Sequence, residues 1–311
     1  SYDIVLPVNP ETIYKAGLVP GLDKNPCTDD HYNSEGDFWY FWNPMNFGCP
    51  LKKDTDYIVI RADIEKLKNS SEVFPGKKSF PEYSRLVRTD DQGNQSITVS
   101  ILMGMDDPDM GKDPRSSQDI NADTYRQLVD ILTKPTRNRG LDFDLEASRI
   151  WTREKIRIFL GKKPEQLADK DLGFVHEFSK IYSLANNKKI TYSIRLFFGA
   201  SGIDEKSTAF HYFFKDSLEN QSVMIYDGHS GLGGHLDLIS IEETESVEGR
   251  NFVIEPSKKD YQIYFFNSCS SYTYYNSMYF DRKKTEEDVN GTKNLDILNN
   301  GLATEFGVLQ E

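Results

Sequence analysis

Two residues of this sequence carry the chemistry of a nucleophile and its base, and each stands just past an apolar run. Val223 to Tyr226 is followed by Asp227, Gly228 and His229; Tyr261 to Phe266 is followed by Asn267, Ser268 and Cys269, which lies 40 positions after His229. Each run reads as a buried strand that stops on small polar residues. In a parallel sheet the ends of successive strands share one edge, so groups placed there can meet. An imidazole beside a thiol draws off its proton and leaves the thiolate, which is the reactive form. The chemistry expected of such a pair is acyl transfer. His229 accepts the Cys269 proton, the thiolate attacks a carbonyl, and the imidazolium protonates the leaving amine. The oxyanion needs donors already aimed at it, and the backbone N–H groups of Cys269 and of the Ser230–Gly231 turn are the candidates. Asp227 and Asn267 are candidates for orienting the imidazole.

Other readings of the same residues stand beside this one. A Cys on an apolar strand often behaves as a small buried hydrophobe, but Cys269 follows its run rather than lying within it. His229, His235 and Asp237 carry donor types that suit zinc or iron, although their spacing is not that of a helical pair. Asp106, Asp107 and Asp109 form an acidic turn with oxygen ligands suited to calcium. No Glu stands at the twelfth position of that turn, so a solvated acidic turn is the competing account.

The two strand ends resemble the clan CD cysteine peptidases, the group of caspases, gingipains, clostripain-like enzymes and legumains. That family carries a strand ending in Ser-Gly-His-Gly and a later strand ending in Asp-Ala-Cys or Gln-Ala-Cys. The corresponding residues are Asp227-Gly228-His229-Ser230 and Asn267-Ser268-Cys269. The apolar lead-ins, the Gly before the His, the small residue before the Cys and the order of the two motifs all agree. Ser230 departs from the family's Gly, and Ser270-Ser271 departs from the residues that usually follow the Cys. The resemblance selects His229 over His235 and implies a caspase-like α/β domain in roughly the last 130 residues. It also implies a cysteine endopeptidase with a His229/Cys269 dyad, a polypeptide substrate and no cofactor. Degenerate members occur in such families, so the alternative is a catalytically inactive binding or adhesion protein on the same fold.

Stepping outward from the dyad, the chain after Lys188 alternates between strand and helix. Ile190–Phe198, Val223–Tyr226, Tyr261–Phe266 and Leu295–Leu298 read as strands, and Phe252–Ile254 as a short extended piece. Thr208–Leu218 and Leu236–Glu243 read as helices. That alternation predicts a mainly parallel sheet flanked by helices. Upstream, Asp56–Arg61 reads as a strand and Glu65–Asn69 as a short helix. Tyr83–Thr89 and Gln95–Gly104 flank the turn residues Asp90–Asn94 and predict a hairpin. Asn121 caps a helix striped by Tyr125, Leu128, Val129 and Leu132, which ends before Pro135. Arg149–Leu160 reads as a helix or a strand. Leu172–Leu184 reads as a helix with Phe174, Phe178, Ile181 and Tyr182 on one side and His176 as a surface or packing residue. The change of texture at Lys188-Lys189 sets a boundary between an α+β region at 1–185, loop-rich at its start, and a catalytic domain at 186–311.

The bulk composition narrows the partners. The chain has 311 residues and a net charge of −12. Such a surface repels phosphate backbones, which argues against nucleic acid. Hydrophobic residues are 38% and charged ones 28%, with no run long enough to span a bilayer. Of three cysteines, Cys27 and Cys49 lie in the loop-rich start beside an aromatic cluster at 38–42, which reads as a satellite core. One disulfide plus one thiol, or three reduced thiols, both fit the count. A disulfide would point to a secreted or periplasmic protein. The start at Ser1, with no signal-peptide pattern, reads as trimmed or as matured by removal of a leader.

Overall fold

The computed structural model describes residues 2–9, 11, 26–27, 42–62, 81–107, 109–134, 143, 148–161, 167–184, 188–246 and 251–301. The chain divides into two compact units, residues 1–79 and 80–311. In the first, β1 (Tyr2–Pro7) pairs antiparallel with β2 (Tyr57–Ala62). Cys27 and Cys49 form a disulfide with Cα atoms 4.8 Å apart, so the pairing of the two early cysteines is the correct alternative. Trp42, from the aromatic cluster, meets Tyr57 edge to face. The helix expected at Glu65–Asn69 lies outside the described residues.

The second unit is built on one sheet. Its strands are β3 (Arg88–Thr89), β4 (Gln95–Gly104), β5 (Arg149–Ile150), β6 (Phe174–Ser183), β7 (Lys189–Gly199), β8 (Val223–Asp227), β9 (Gln262–Asn267) and β10 (Leu295–Asn299). They run in the order β10-β9-β8-β4-β7-β6-β5, with β3 beside β4. β10, β9, β8, β4 and β7 are mutually parallel, whereas β3, β5 and β6 pair antiparallel. The helices are α1 (Ile120–Thr133), α2 (Arg153–Leu160), α3 (Thr208–Asn220), α4 (Leu238–Glu245) and α5 (Ser271–Lys283). α3, α4 and α5 are each the crossover between consecutive parallel strands, as such connections require.

Strand periodicity sorts the core onto two faces. Leu102, Phe197, Tyr226, Tyr264 and Phe266 face one way and pack with Phe210, Phe213 and Phe214 of α3 and with Tyr275 and Tyr279 of α5. Ile101, Met103, Leu196 and Phe198 face the other way and pack with Tyr125, Leu128 and Leu132 of α1. The last five residues of β4 are all buried, which identifies the central strand, covered on both sides. Within the first of these layers a buried hydrogen-bonded pair joins two helices. His211 Nδ1 lies 2.8 Å from Glu245, and His211 Nε2 donates to Gly202 O at 2.9 Å.

Several expectations are corrected. Leu172–Leu184 is not a helix; its central part is β6, antiparallel to β7 over ten residue pairs. Phe174, Phe178 and Tyr182 recur every four residues, and a four-residue step is also two strand repeats, so the spacing suits either structure. The long partner strand decides it, because β-structure depends on its neighbours. The boundary at about 185 falls between β6 and β7, inside the sheet. The polar stretch there joins two paired strands rather than two domains, and the central strand β4 comes from the part assigned to the N-terminal region. Asn121 is not the cap: Asp119 is, its Oδ1 accepting from Asn121 N at 2.9 Å, while the Asn121 amide donates to Gly104 O at 2.6 Å. Arg149–Leu160 is both things in turn, β5 and then α2.

Candidate active site

The sheet register brings the two motifs together. Asp227 of β8 pairs with Asn267 of β9, and Met103 of β4 pairs with Asp227. His229 and Cys269 each stand two residues past that shared row, on neighbouring parallel strands, which run about 4.8 Å apart. Asp106 stands three residues past the row on β4. The chain leaves β4 toward β7 on one side and then returns to β8 on the other, so the strand order reverses beside β4. The carboxyl edge at such a reversal is where open α/β sheets form their clefts.

His229 Nε2 lies 2.6 Å from Asp106 Oδ1, and the two side chains are 45% and 41% exposed. The contact therefore sits at the mouth of the edge, open to solvent. A carboxylate on Nε2 holds the proton on that nitrogen and directs Nδ1 to any proton exchange. Asp106 was grouped in the sequence with an acidic calcium turn, and the structure separates that group. Asp106 turns to His229, Asp107 Oδ1 accepts from Asp109 N at 2.8 Å, and Asp107 N donates to Asp119 Oδ2 at 2.8 Å. The one signal that could have found Asp106 is the one that singles out His229 and Cys269: a polar side chain just beyond an apolar run.

The strand ends are shaped to carry these groups. A Cβ on Gly228 would lie 2.8 Å from Tyr226 Oη and 3.3 Å from Gly104 Cα, so glycine lets β8 close against β4 there. Gly231 has φ +54, and a Cβ on it would come within 2.2 Å of the His235 ring. Ser230 is at φ −84, ψ −20, an ordinary conformation for any residue, and it is buried. After Cys269, Ser270 takes the left-handed conformation (φ 52, ψ 25) and α5 begins at the next residue. For a residue other than Gly this costs about 1–2 kcal/mol, and such strain gathers at functional turns. Ser271 Oγ donates to Phe266 O at 2.9 Å and accepts from Asn300 N at 2.8 Å, which fixes the turn. Cys269 is half-buried and lies outside the disulfide.

A buried layer supports the edge from below. Tyr226 Oη donates to His229 O at 2.7 Å, with Ser201 Oγ 3.2 Å from the same hydroxyl. Tyr275 Oη donates to Ser230 O at 3.2 Å. Asn267 Nδ2 donates to Asp227 Oδ1 at 2.6 Å, and Asn267 Oδ1 accepts from Asn300 at 3.1 Å. The side chains of Asp227 and Asn267 thus bind one another, and the carboxylate that meets the imidazole is that of Asp106. Burial pushes the Asp227 carboxyl up to about 6, while the bond from Asn267 opposes that rise.

The other histidines do different work. His235 is depressed below the usual imidazole range, first by burial and then by the charge of nearby His229. Asp237 caps α4 by accepting from Ser240 N at 2.7 Å, so it does not converge with the two histidines. Among the described residues no group of three or more His, Cys, Asp or Glu side chains could hold a metal ion. His176 is buried between Tyr125 Oη at 2.7 Å and Ser148 Oγ at 3.1 Å, a packing role.

No protein-family model matches the chain, and no curated protein sequence is significantly similar to it. Among the described residues no helix is long and apolar enough to cross a membrane.

Proposed function

We propose that the chain is a cysteine endopeptidase of the clan CD type, working through Cys269 and His229 with Asp106 as the residue that positions the imidazole. The observation that carries this reading is the placement of His229 and Cys269 at matching positions past adjacent parallel strands, with Asp106 on the far ring nitrogen. His229 Nδ1 takes the thiol proton, and the thiolate sulfur bonds to the scissile carbonyl carbon. The carbonyl electron pair moves onto oxygen, where the backbone N–H groups of Cys269 and the Ser230–Gly231 turn are the candidate donors. Collapse breaks the C–N bond, and the imidazolium gives its proton to the departing amine. Water, deprotonated by His229, then cleaves the thioester. Asp106 fixes the ring through its bond to Nε2. The Cys27–Cys49 disulfide supports a secreted or periplasmic location.

The test is the alkylation rate of Cys269 by iodoacetamide as a function of pH, in the parent and in His229→Ala. An activated pair gives rapid alkylation well below the ordinary thiol pKa of about 8.5, and the mutation removes it. A thiol that titrates normally and ignores His229 would refute the peptidase reading and leave the non-catalytic binding protein.

A further inference from the structure

A cavity of about 700 Å³ lies on the α1 side of the sheet, lined by Arg115, Tyr125, Arg126, Val129, Ile150 and His176 among others. Its size is that of a small-molecule site. Its chemistry runs against the acidic balance of the chain, because two guanidinium groups reach it. Its floor is His176 between Tyr125 and Ser148, and burial together with the charge of Arg115 pushes His176 down to about 4. At neutral pH the floor is therefore an uncharged polar surface. The walls include the aliphatic side chains Val129 and Ile150 and the ring of Tyr125.

The charges around it are accounted for as follows. Arg126 donates from Nη1 to Pro114 O at 2.8 Å and to Ser117 O at 3.0 Å, and its Nη2 meets Asp123 at 3.2 Å. It is a structural tie. The lining carboxylate Asp130 is taken by Lys134 at 2.6 Å. Arg115 engages Asp113 through Nε and Nη2 and lies over the Phe174 ring at 5.2 Å. Its Nη1 has no hydrogen-bond partner among the described residues. A guanidinium 5.2 Å from an aromatic ring centroid, 57% exposed and with one amino group open to a ligand, is suited to a planar carboxylate.

We propose that this cavity binds a small organic carboxylate, its anionic group on Arg115 Nη1 and its apolar body against Val129, Ile150 and Tyr125. The site is separate from the dyad and does not depend on the peptidase reading. The test uses the intact protein and 4-phenylbutyrate as probe, followed by isothermal titration calorimetry, with the uncharged 4-phenylbutyramide as comparison. The expected result is saturable one-site binding of the carboxylate and binding of the amide weaker by about tenfold or more. Arg115→Met should weaken the carboxylate to the level of the amide. Ile150→Trp, a substitution at a part-exposed strand position, should abolish binding of both by filling the space, with an unchanged circular dichroism spectrum. Equal affinity for acid and amide, no saturation up to about 10 mM, or binding that survives Ile150→Trp would each overturn the proposal. Should Ile150→Trp fail to fold, the comparison of acid with amide and the Arg115→Met titration decide the matter alone.

Discussion

The carboxyl of Asp227 lies under the site, buried, and its replacement by Asn gives a measurable pH signature. Burial raises its pKa from 3.8 in the unfolded chain to about 6 in the folded protein. Between these values the folded state binds more protons than the unfolded one. Stability contributed by the protonated form is thus present below about pH 4 and is lost as pH rises through about 6. The shift of about two units corresponds to about 3 kcal/mol. Asp227→Asn keeps an oxygen for the Asn267 amide and removes the ionisation. Any fixed cost of placing an amide nitrogen there is independent of pH. The difference in unfolding free energy between variant and parent should therefore become more favourable to the variant by about 3 kcal/mol between pH 4 and pH 8. Urea unfolding followed by intrinsic fluorescence at intervals across that range measures it directly. A difference that does not change with pH would show that the carboxylate is solvated or paired in the folded protein, and the reasoning from burial would be refuted.

Three further outcomes are expected at the strand ends. Asp106→Asn should slow alkylation of Cys269 and peptide hydrolysis by about ten- to a hundredfold, since it retains a hydrogen bond to His229 but not the charge; an unchanged rate would remove Asp106 from the site. Gly228→Ala should destabilise the second unit by about 1–3 kcal/mol through its clash with Tyr226, and Tyr226→Phe in the same chain should recover part of that loss in a thermal melt. Ser270→Gly should stabilise the fold by about 1 kcal/mol by relieving the left-handed residue, read from denaturant midpoints; destabilisation would mean that the Ser270 side chain holds the turn.

What could be read from the sequence was what local pattern determines. The apolar runs Val223–Tyr226 and Tyr261–Phe266 are strands because their length and composition leave little choice. Their ends then locate His229 and Cys269 without knowledge of the sheet. The stripe of Tyr125, Leu128 and Leu132 likewise fixes α1. What could not be read depends on partners distant in the chain. β6 exists because β7 pairs with it along its whole length. The polar link between them imitates a domain linker only until that pairing is known. Asp106 is 123 residues from His229, and its place just past an apolar run marks a polar strand end without telling which imidazole it meets. Asp227 and Asn267 end their strands in the same row, and their side chains bind one another.

The central position of β4 has a consequence for how the chain comes to be competent. Asp106, His229 and Cys269 come from three different strands, and β8 lies between β4 and β9. No two-strand piece of this sheet can hold all three. During synthesis Asp106 precedes His229 by 123 residues and Cys269 by 163. Loop closures of that length are entropically costly and come late in folding. The Cys269 thiol gains its neighbours only when the sheet is essentially complete, so a change in its alkylation rate would serve as a clock for the last steps of folding.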